Sequence, residues 1–187
     1  MRPMTIDMTG SGMLAITRDS LIALRAALMR ETGAAGAAFL QEAGYVGGGA
    51  LFEAFRQWLA SRGASPPESL SVDGFQREAT EFFRRAGWGS LQIGALHDMV
   101  ATLDSADWAE ATPESPLEQV GCSFSSGMFA DFFGRVADAP LAVMEVECRS
   151  TGAARCRFLL GSTDVMQTVY DQMAQGYGYE DAVAVSA

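Results

Sequence analysis

The chain has 187 residues, 49% of them apolar, with 23 Asp and Glu against 13 Lys and Arg, a formal charge of −10 and a single histidine. This describes one acidic globular domain. Folding at this length buries roughly 70% of the unfolded surface, so a core forms without disulfides and two full domains would be cramped. The charge, with no basic run to offset it, argues against nucleic acid and membrane surfaces as partners. His97 alone cannot build three-His zinc sites, two-His facial triads or H-E-x-x-H proteases.

The first residues carry no charged and apolar leader, and no run of 18 apolar residues follows, so a cytoplasmic protein is expected. Residues 1–12 are read as a mobile lead-in. Gly10-Ser11-Gly12 lacks the preceding strand that a dinucleotide loop requires. From Asp19, the spacing of Leu21, Leu24 and Leu28 predicts an amphipathic helix ending at Gly33. A second helical region, 34–60, contains Gly44 and Gly47 to Gly49, so it is read as bent or as two helices. No Lys-Ser or Lys-Thr follows those glycines, which removes the phosphate-loop reading and favours close packing of another helix.

After Pro66-Pro67 a third helix is expected from Asp73, with Gln76 completing a capping box and Phe75, Ala79, Phe82 and Phe83 inward. Trp88 to Ile93 and Met99 to Leu103 read as a hairpin whose turn places His97 in solvent. A fourth, aromatic-rich helix is expected over 121–136, capped by Ser123 or Ser125. Leu141 to Cys148 alternates, which puts Met144, Val146 and Cys148 on one face and Glu145 and Glu147 on the other. Cys156, Phe158 and Leu160 read as inward on the next strand. A last helix from Ser162, with Val165, Met166, Val169, Tyr170 and Met173 apolar, stops at Gly176 and leaves 176–187 loose. The order implies an α+β domain over 13–175, with an antiparallel sheet of about four strands packed with helices.

A tight hairpin at Thr151-Gly152-Ala153 makes Cys148 and Cys156 cross-strand partners, with Cβ atoms roughly 4.5 to 5.5 Å apart. With Cys122 they offer three soft ligands suited to Zn2+, the fourth being a carboxylate or water. Equally, the three are read as small buried apolar side chains, and Cys148 and Cys156 could form a cross-strand disulfide if oxidised. The spacing alone leaves these open.

The run Glu145-Val-Glu-Cys148-Arg-Ser-Thr-Gly152-Ala-Ala-Arg-Cys156-Arg-Phe158, with the preceding Ser126-Gly127 and aromatic helix, resembles the 4-vinyl reductase domain family. That family is related in fold to TRAPP trafficking subunits and includes the sensory domains of phenol- and xylene-responsive transcription activators. The resemblance implies zinc held by Cys122, Glu145, Cys148 and Cys156. In a regular strand Glu145 and Cys148 point to opposite faces, so Glu145 ligates only across a bulge, and Glu147 is the substitute.

The resemblance further implies a homodimer and a sensor or carrier for an apolar aromatic or tetrapyrrole-like ligand, acting through an output protein. Candidate wall residues are Phe82, Phe83, Trp88, Phe124, Phe129 and Phe133, each also readable as core. The alternatives are a ligand-free dimeric scaffold of TRAPP-like type and a reductase. The reductase lacks a nicotinamide or flavin motif, so no enzyme activity is expected.

Overall fold

The computed structural model describes residues 12–114 and 116–186; most of the lead-in expected over 1–12 lies outside them. Among the described residues six α-helices, α1 (Arg18–Thr32), α2 (Ala35–Ser61), α3 (Val72–Arg85), α4 (Ser123–Ala137), α5 (Thr163–Ala174) and α6 (Tyr179–Ser186), accompany four strands. The strands are β1 (Gln92–His97), β2 (Val100–Ser105), β3 (Leu141–Glu147) and β4 (Cys156–Ser162). They form one antiparallel sheet in the order β1-β2-β4-β3, as the α+β reading expects, so β1 and β3 are its edges.

Both faces of the sheet are covered. Leu103, Val143, Phe158 and Leu160 join α2, α3 and α4 in the larger core. Val100 and Leu159 join Val165, Met166 and Val169 of α5 and Ala182 and Val183 of α6 in a smaller one. Along a strand, alternate residues therefore serve two different cores.

Helix α2 is one continuous helix of 27 residues, not two, and its glycines explain why. A Cβ on Gly44 would lie 1.9 Å from the Phe124 carbonyl oxygen, and one on Gly127 of α4 would lie 1.8 Å from that of Gln41. The missing side chains let α2 and α4 pack backbone to backbone, and this burial offsets the weak helix propensity of glycine.

Several boundaries and faces depart from the sequence reading. Ser71 caps α3 by accepting from the Gly74 N–H, so Asp73 lies inside the helix and Gln76 completes no capping box. The first hairpin starts at Gln92, leaving Trp88 before it, and His97 ends β1 in solvent. In α1, Leu24 is exposed and Arg25 takes the buried position, because its guanidinium donates to the carbonyls of Glu110 and Gly121 and to Thr112 Oγ1. In α5, Tyr170 is 58% exposed rather than packed. Residues 179–186 are not loose: Ala182 and Val183 bury against the α5 side of the sheet, and Tyr179 donates to Glu147.

Candidate metal centre and the aromatic core

The hairpin of β3 and β4 brings two of the three cysteines together. Its tip is a 3-10 turn, Arg149–Thr151, followed by Gly152 at φ 91°, a left-handed conformation that glycine adopts without strain. The Cys148 carbonyl accepts from the N–H groups of Thr151 and Ala153 and from Thr151 Oγ1, which fixes the start of the turn. The strand register sums to 303 at Glu145 with Phe158 and to 304 at Glu147 with Arg157, so one extra residue lies between Glu145 and Glu147.

That bulge corrects the expected faces. Glu145 turns inward with Val143, whereas Met144 and Val146 pack on the α5 and α6 side, and Cys148 is fully buried beside Glu145. Glu147 points to the other face, where it accepts from Arg155 and Tyr179. Beyond the bulge, the pair sum continues at 304 towards Cys148 and Cys156.

The third sulfur comes from the start of α4. Cys122 Sγ lies 3.8 Å from Cys148 Sγ and 3.9 Å from Cys156 Sγ, far beyond the disulfide length of about 2.05 Å, and all three thiols are free. The Cys122 N–H donates to Glu145 Oε2 at 2.7 Å, while Glu145 Oε1 is buried without a hydrogen-bond partner. One ligand atom from each of Cys122, Glu145, Cys148 and Cys156 lies within 4.8 Å of the others. This buried group of three sulfurs and one carboxylate could hold a metal ion.

Without a cation, ionisation is favoured at Cys148 and opposed at Cys122, Glu145 and Cys156. Thiol hydrogen bonds from Cys122 and Cys156 hold Cys148 well below the usual thiol range. The same bonds to Cys148 and Cys156, then burial, push Cys122 well up. Burial, then the Cys148 charge, pushes Glu145 up to about 8. A divalent cation reverses this, because coordination deprotonates thiols.

A second carboxylate holds the helix end in place and gives no signal in the sequence, where it sits in a loop rich in Ser, Thr and Pro. Glu110 is 2% exposed, and its carboxylate accepts from the N–H groups of Phe124 and Ser125 and from Ser125 Oγ. It satisfies the first turn of α4, the role the sequence reading gave to Ser123 or Ser125. Burial pushes Glu110 up to about 7 despite those bonds.

The six aromatic residues proposed as pocket walls pack on one another. Phe83 contacts Phe82 at 5.6 Å and Phe129 at 5.7 Å between centroids, and Phe129 contacts Phe133 at 5.8 Å. Trp88 is stacked between Trp108 (5.6 Å, 20°) and Phe124 (5.9 Å, 10°). Phe82, Phe83 and Phe129 are fully buried, whereas Trp88 and Phe124 are half-buried at one end of the cluster. Other residues line two surface clefts. One of about 690 Å3 lies along α3 among Arg62, Arg77, Glu78, Glu81 and Arg85. The other, about 470 Å3, runs beside β3.

Comparisons with known proteins follow the same lines. A search of curated protein sequences gives no match. The phenol-responsive sensory domain of the transcription activator PoxR, solved with phenol, is similar with a TM-score of 0.61 and 14% identity, over 93% of this chain and 83% of that one. A vinyl-4-reductase family protein from Methanocaldococcus jannaschii gives 0.53 and 14%, over 84% and 89%. A trafficking protein particle complex subunit 3 from Naegleria fowleri, covalently bound to palmitic acid, gives 0.56 and 10%, over 77% and 91%. These identities establish the fold alone. Residues 114–162 match the 4-vinyl reductase domain, a span containing all four candidate metal ligands, so the family resemblance read from the cysteine hairpin holds on a fold shared with vinyl-4-reductase and TRAPP proteins.

Proposed function

We propose that this chain is a zinc-stapled, small-molecule-binding domain of 4-vinyl reductase type, a sensor or carrier for an apolar aromatic or tetrapyrrole-like ligand, working as a homodimer through a partner protein. The observation that carries the reading is the spacing of the three sulfurs. Zinc–sulfur bonds of about 2.3 Å in a tetrahedron put sulfurs about 3.8 Å apart. The separations from Cys122 are 3.8 and 3.9 Å, and the unpartnered Glu145 Oε1 is available as the fourth donor. Four protein ligands close the coordination sphere, which suits a structural metal and leaves no position for substrate. Zinc here would neutralise the thiolates and tie the β3–β4 hairpin to α4.

The ligand part of the reading is supported by the family match over 114–162 and by the likeness to a sensory domain solved with phenol. The half-buried Trp88 and Phe124, at the open end of the aromatic cluster, are the positions where an aromatic ring would insert. The likeness to a sensory domain, with a metal group closed by four protein ligands, supports a non-enzymatic reading. A TRAPP-like scaffold is the second reading. It is favoured by exposed apolar side chains on α1 and α2, namely Leu24, Met29, Phe39, Tyr45 and Val46.

Native mass spectrometry of the reduced protein tests both. The expected result is a dimer with one zinc per chain, which takes up phenol as the first probe. Replacing Cys156 with Ser should remove the zinc and lower thermal stability together. Full stability of a metal-free protein would refute the zinc staple, and zinc without uptake of phenol or a chlorin would favour the scaffold.

A further inference from the structure

The cleft of about 470 Å3 has an unusual floor: four consecutive residues of one strand, Ala142, Val143, Met144 and Glu145. Consecutive residues alternate sides of a sheet, so a surface that touches all four runs along the backbone edge. β3 is an edge strand, and among the described residues its outward N–H and C=O groups have no strand partner. Helices cover both faces of the sheet and flank this edge. Ser123 and Ser126 of α4 and Gln41 of α2 form one wall, and Met166, Gln167 and Tyr170 of α5 form the other.

We propose that this groove takes an extended peptide segment of a partner protein as a fifth strand of the sheet. A row of backbone donors and acceptors recessed between two walls is completed by another backbone, and strand addition supplies it. A second copy fits less well than a lone strand, because its own β3 edge is flanked by the same α4 and α5 residues and pairing two such recessed edges would set wall against wall.

The walls define the segment. Val143 and Glu145 lie on the α4 side of the sheet, and Ala142 and Met144 lie on the α5 side. An added strand continues the pleat. Its residues facing α4 meet two serine hydroxyls and the Gln41 amide, with Val120 just before that helix, and those facing α5 meet Thr163, Met166 and the exposed ring of Tyr170. The fitting sequence alternates apolar residues with Ser, Thr or Asn. The chain carries −10, so an acidic segment is repelled. The inference does not depend on zinc or on the small-molecule reading.

The test uses the acetylated and amidated hexapeptide Val-Ser-Val-Ser-Val-Ser, with hydrogen exchange at β3 and calorimetry as readouts. The peptide should slow exchange at the amides of 142–145. N-methylation of one alternating set of its residues should weaken binding at least ten-fold, and methylation of the other set much less, because only one set pairs with the edge. Tyr170→Glu, at an exposed position, should weaken binding at least ten-fold with metal content unchanged. Val-Glu repeats should bind more weakly than Val-Ser repeats. The proposal fails if millimolar peptide leaves β3 exchange unaltered, or if both N-methylated peptides bind equally. It also fails if β3 amides become protected with rising protein concentration alone, which would assign the edge to a second copy. None of these failures bears on the zinc content.

Discussion

Adding one methyl group at Gly127 should destabilise the protein as much as a typical large-to-small core truncation. Its Cβ would meet the Gln41 carbonyl oxygen at 1.8 Å and the Tyr45 nitrogen at 2.9 Å, both backbone atoms of α2. No rotamer change relieves a clash with backbone. Reaching ordinary contact at 3.4 Å requires α2 and α4 to separate locally by about 1.6 Å. Overpacking costs about 1 to 3 kcal/mol by itself, and a gap of that size forfeits much of the dispersion along the interface. We expect a loss of about 3 kcal/mol or more for Gly127→Ala, and the same for Gly44→Ala. For a domain of this size that lowers Tm by about 6 to 12 °C. Gly47 is the internal control: it sits in the same helix with nothing within 4 Å of its added Cβ. Gly47→Ala should stabilise by about 0.5 to 1 kcal/mol through helix propensity alone. Urea unfolding followed by circular dichroism at fixed zinc saturation measures both. Gly127→Ala within 0.5 kcal/mol of the unmodified protein, or Gly47→Ala as damaging as Gly127→Ala, would refute the backbone-contact argument.

Three further outcomes are expected. Glu110 has its carboxyl raised from 4.5 to about 7, so its contribution to stability is complete below about 4.5 and is lost as pH rises through 7. The stability difference between the unmodified protein and Glu110→Gln should fall by about 3 kcal/mol across that window, and a flat difference in pH-dependent urea melts would contradict the burial argument. Arg25→Leu leaves the carbonyls of Glu110 and Gly121 without their guanidinium donor, and should cost about 2 to 4 kcal/mol in thermal unfolding. Arg30→Ala, which breaks only an exposed pair with Glu31, should cost under about 0.5 kcal/mol, and equal costs would count against the buried role of Arg25. Deleting Val146 removes the bulge residue yet leaves Glu145 two positions from Cys148 on one face of a regular strand, so zinc should be retained at some loss of packing against α6. Zinc loss from a folded deletion variant would show that the bulge itself shapes the site.

Much of this fold could be read from periodicity, because helices α1, α3, α4 and α5 and both hairpins each bury one regular face. Cys122, Cys148 and Cys156 were legible as a group because a hairpin register relates two of them directly. The bulge was legible only as the condition for Glu145 to join Cys148, since the alternation of apolar and polar residues from Leu141 to Cys148 on paper gives no sign of the extra residue that changes its faces. Glu110 and Arg25 were missed for a related reason. A carboxylate in a connector and an arginine on a helix both read as solvated, and only the tertiary approach of α1 and α4 gives them buried carbonyl and N–H partners. The helix at Tyr179–Ser186 follows Gly176 and Gly178 and is too short to hold by propensity. Its order comes from Ala182, Val183 and Tyr179 docking on the sheet. In α2 the glycines misled in one direction and informed in the other: they suggested a break, yet marked where α4 packs.

The near-parallel stack of Trp108, Trp88 and Phe124 makes the aromatic core its own optical probe. Trp108 is fixed by its Nε1–H donating to Ser125 at 2.7 Å, so two indoles are held 5.6 Å apart in a rigid, handed arrangement. Such a pair couples its electronic transitions and gives an exciton signal in circular dichroism that an isolated indole lacks. Trp58, lying under the Arg62 guanidinium at 4.5 Å, supplies a second, separate chromophore as reference. A guest ring sliding between Trp88 and Phe124 would shift the coupled signal and leave the Trp58 emission in place, reporting occupancy of the core without any label.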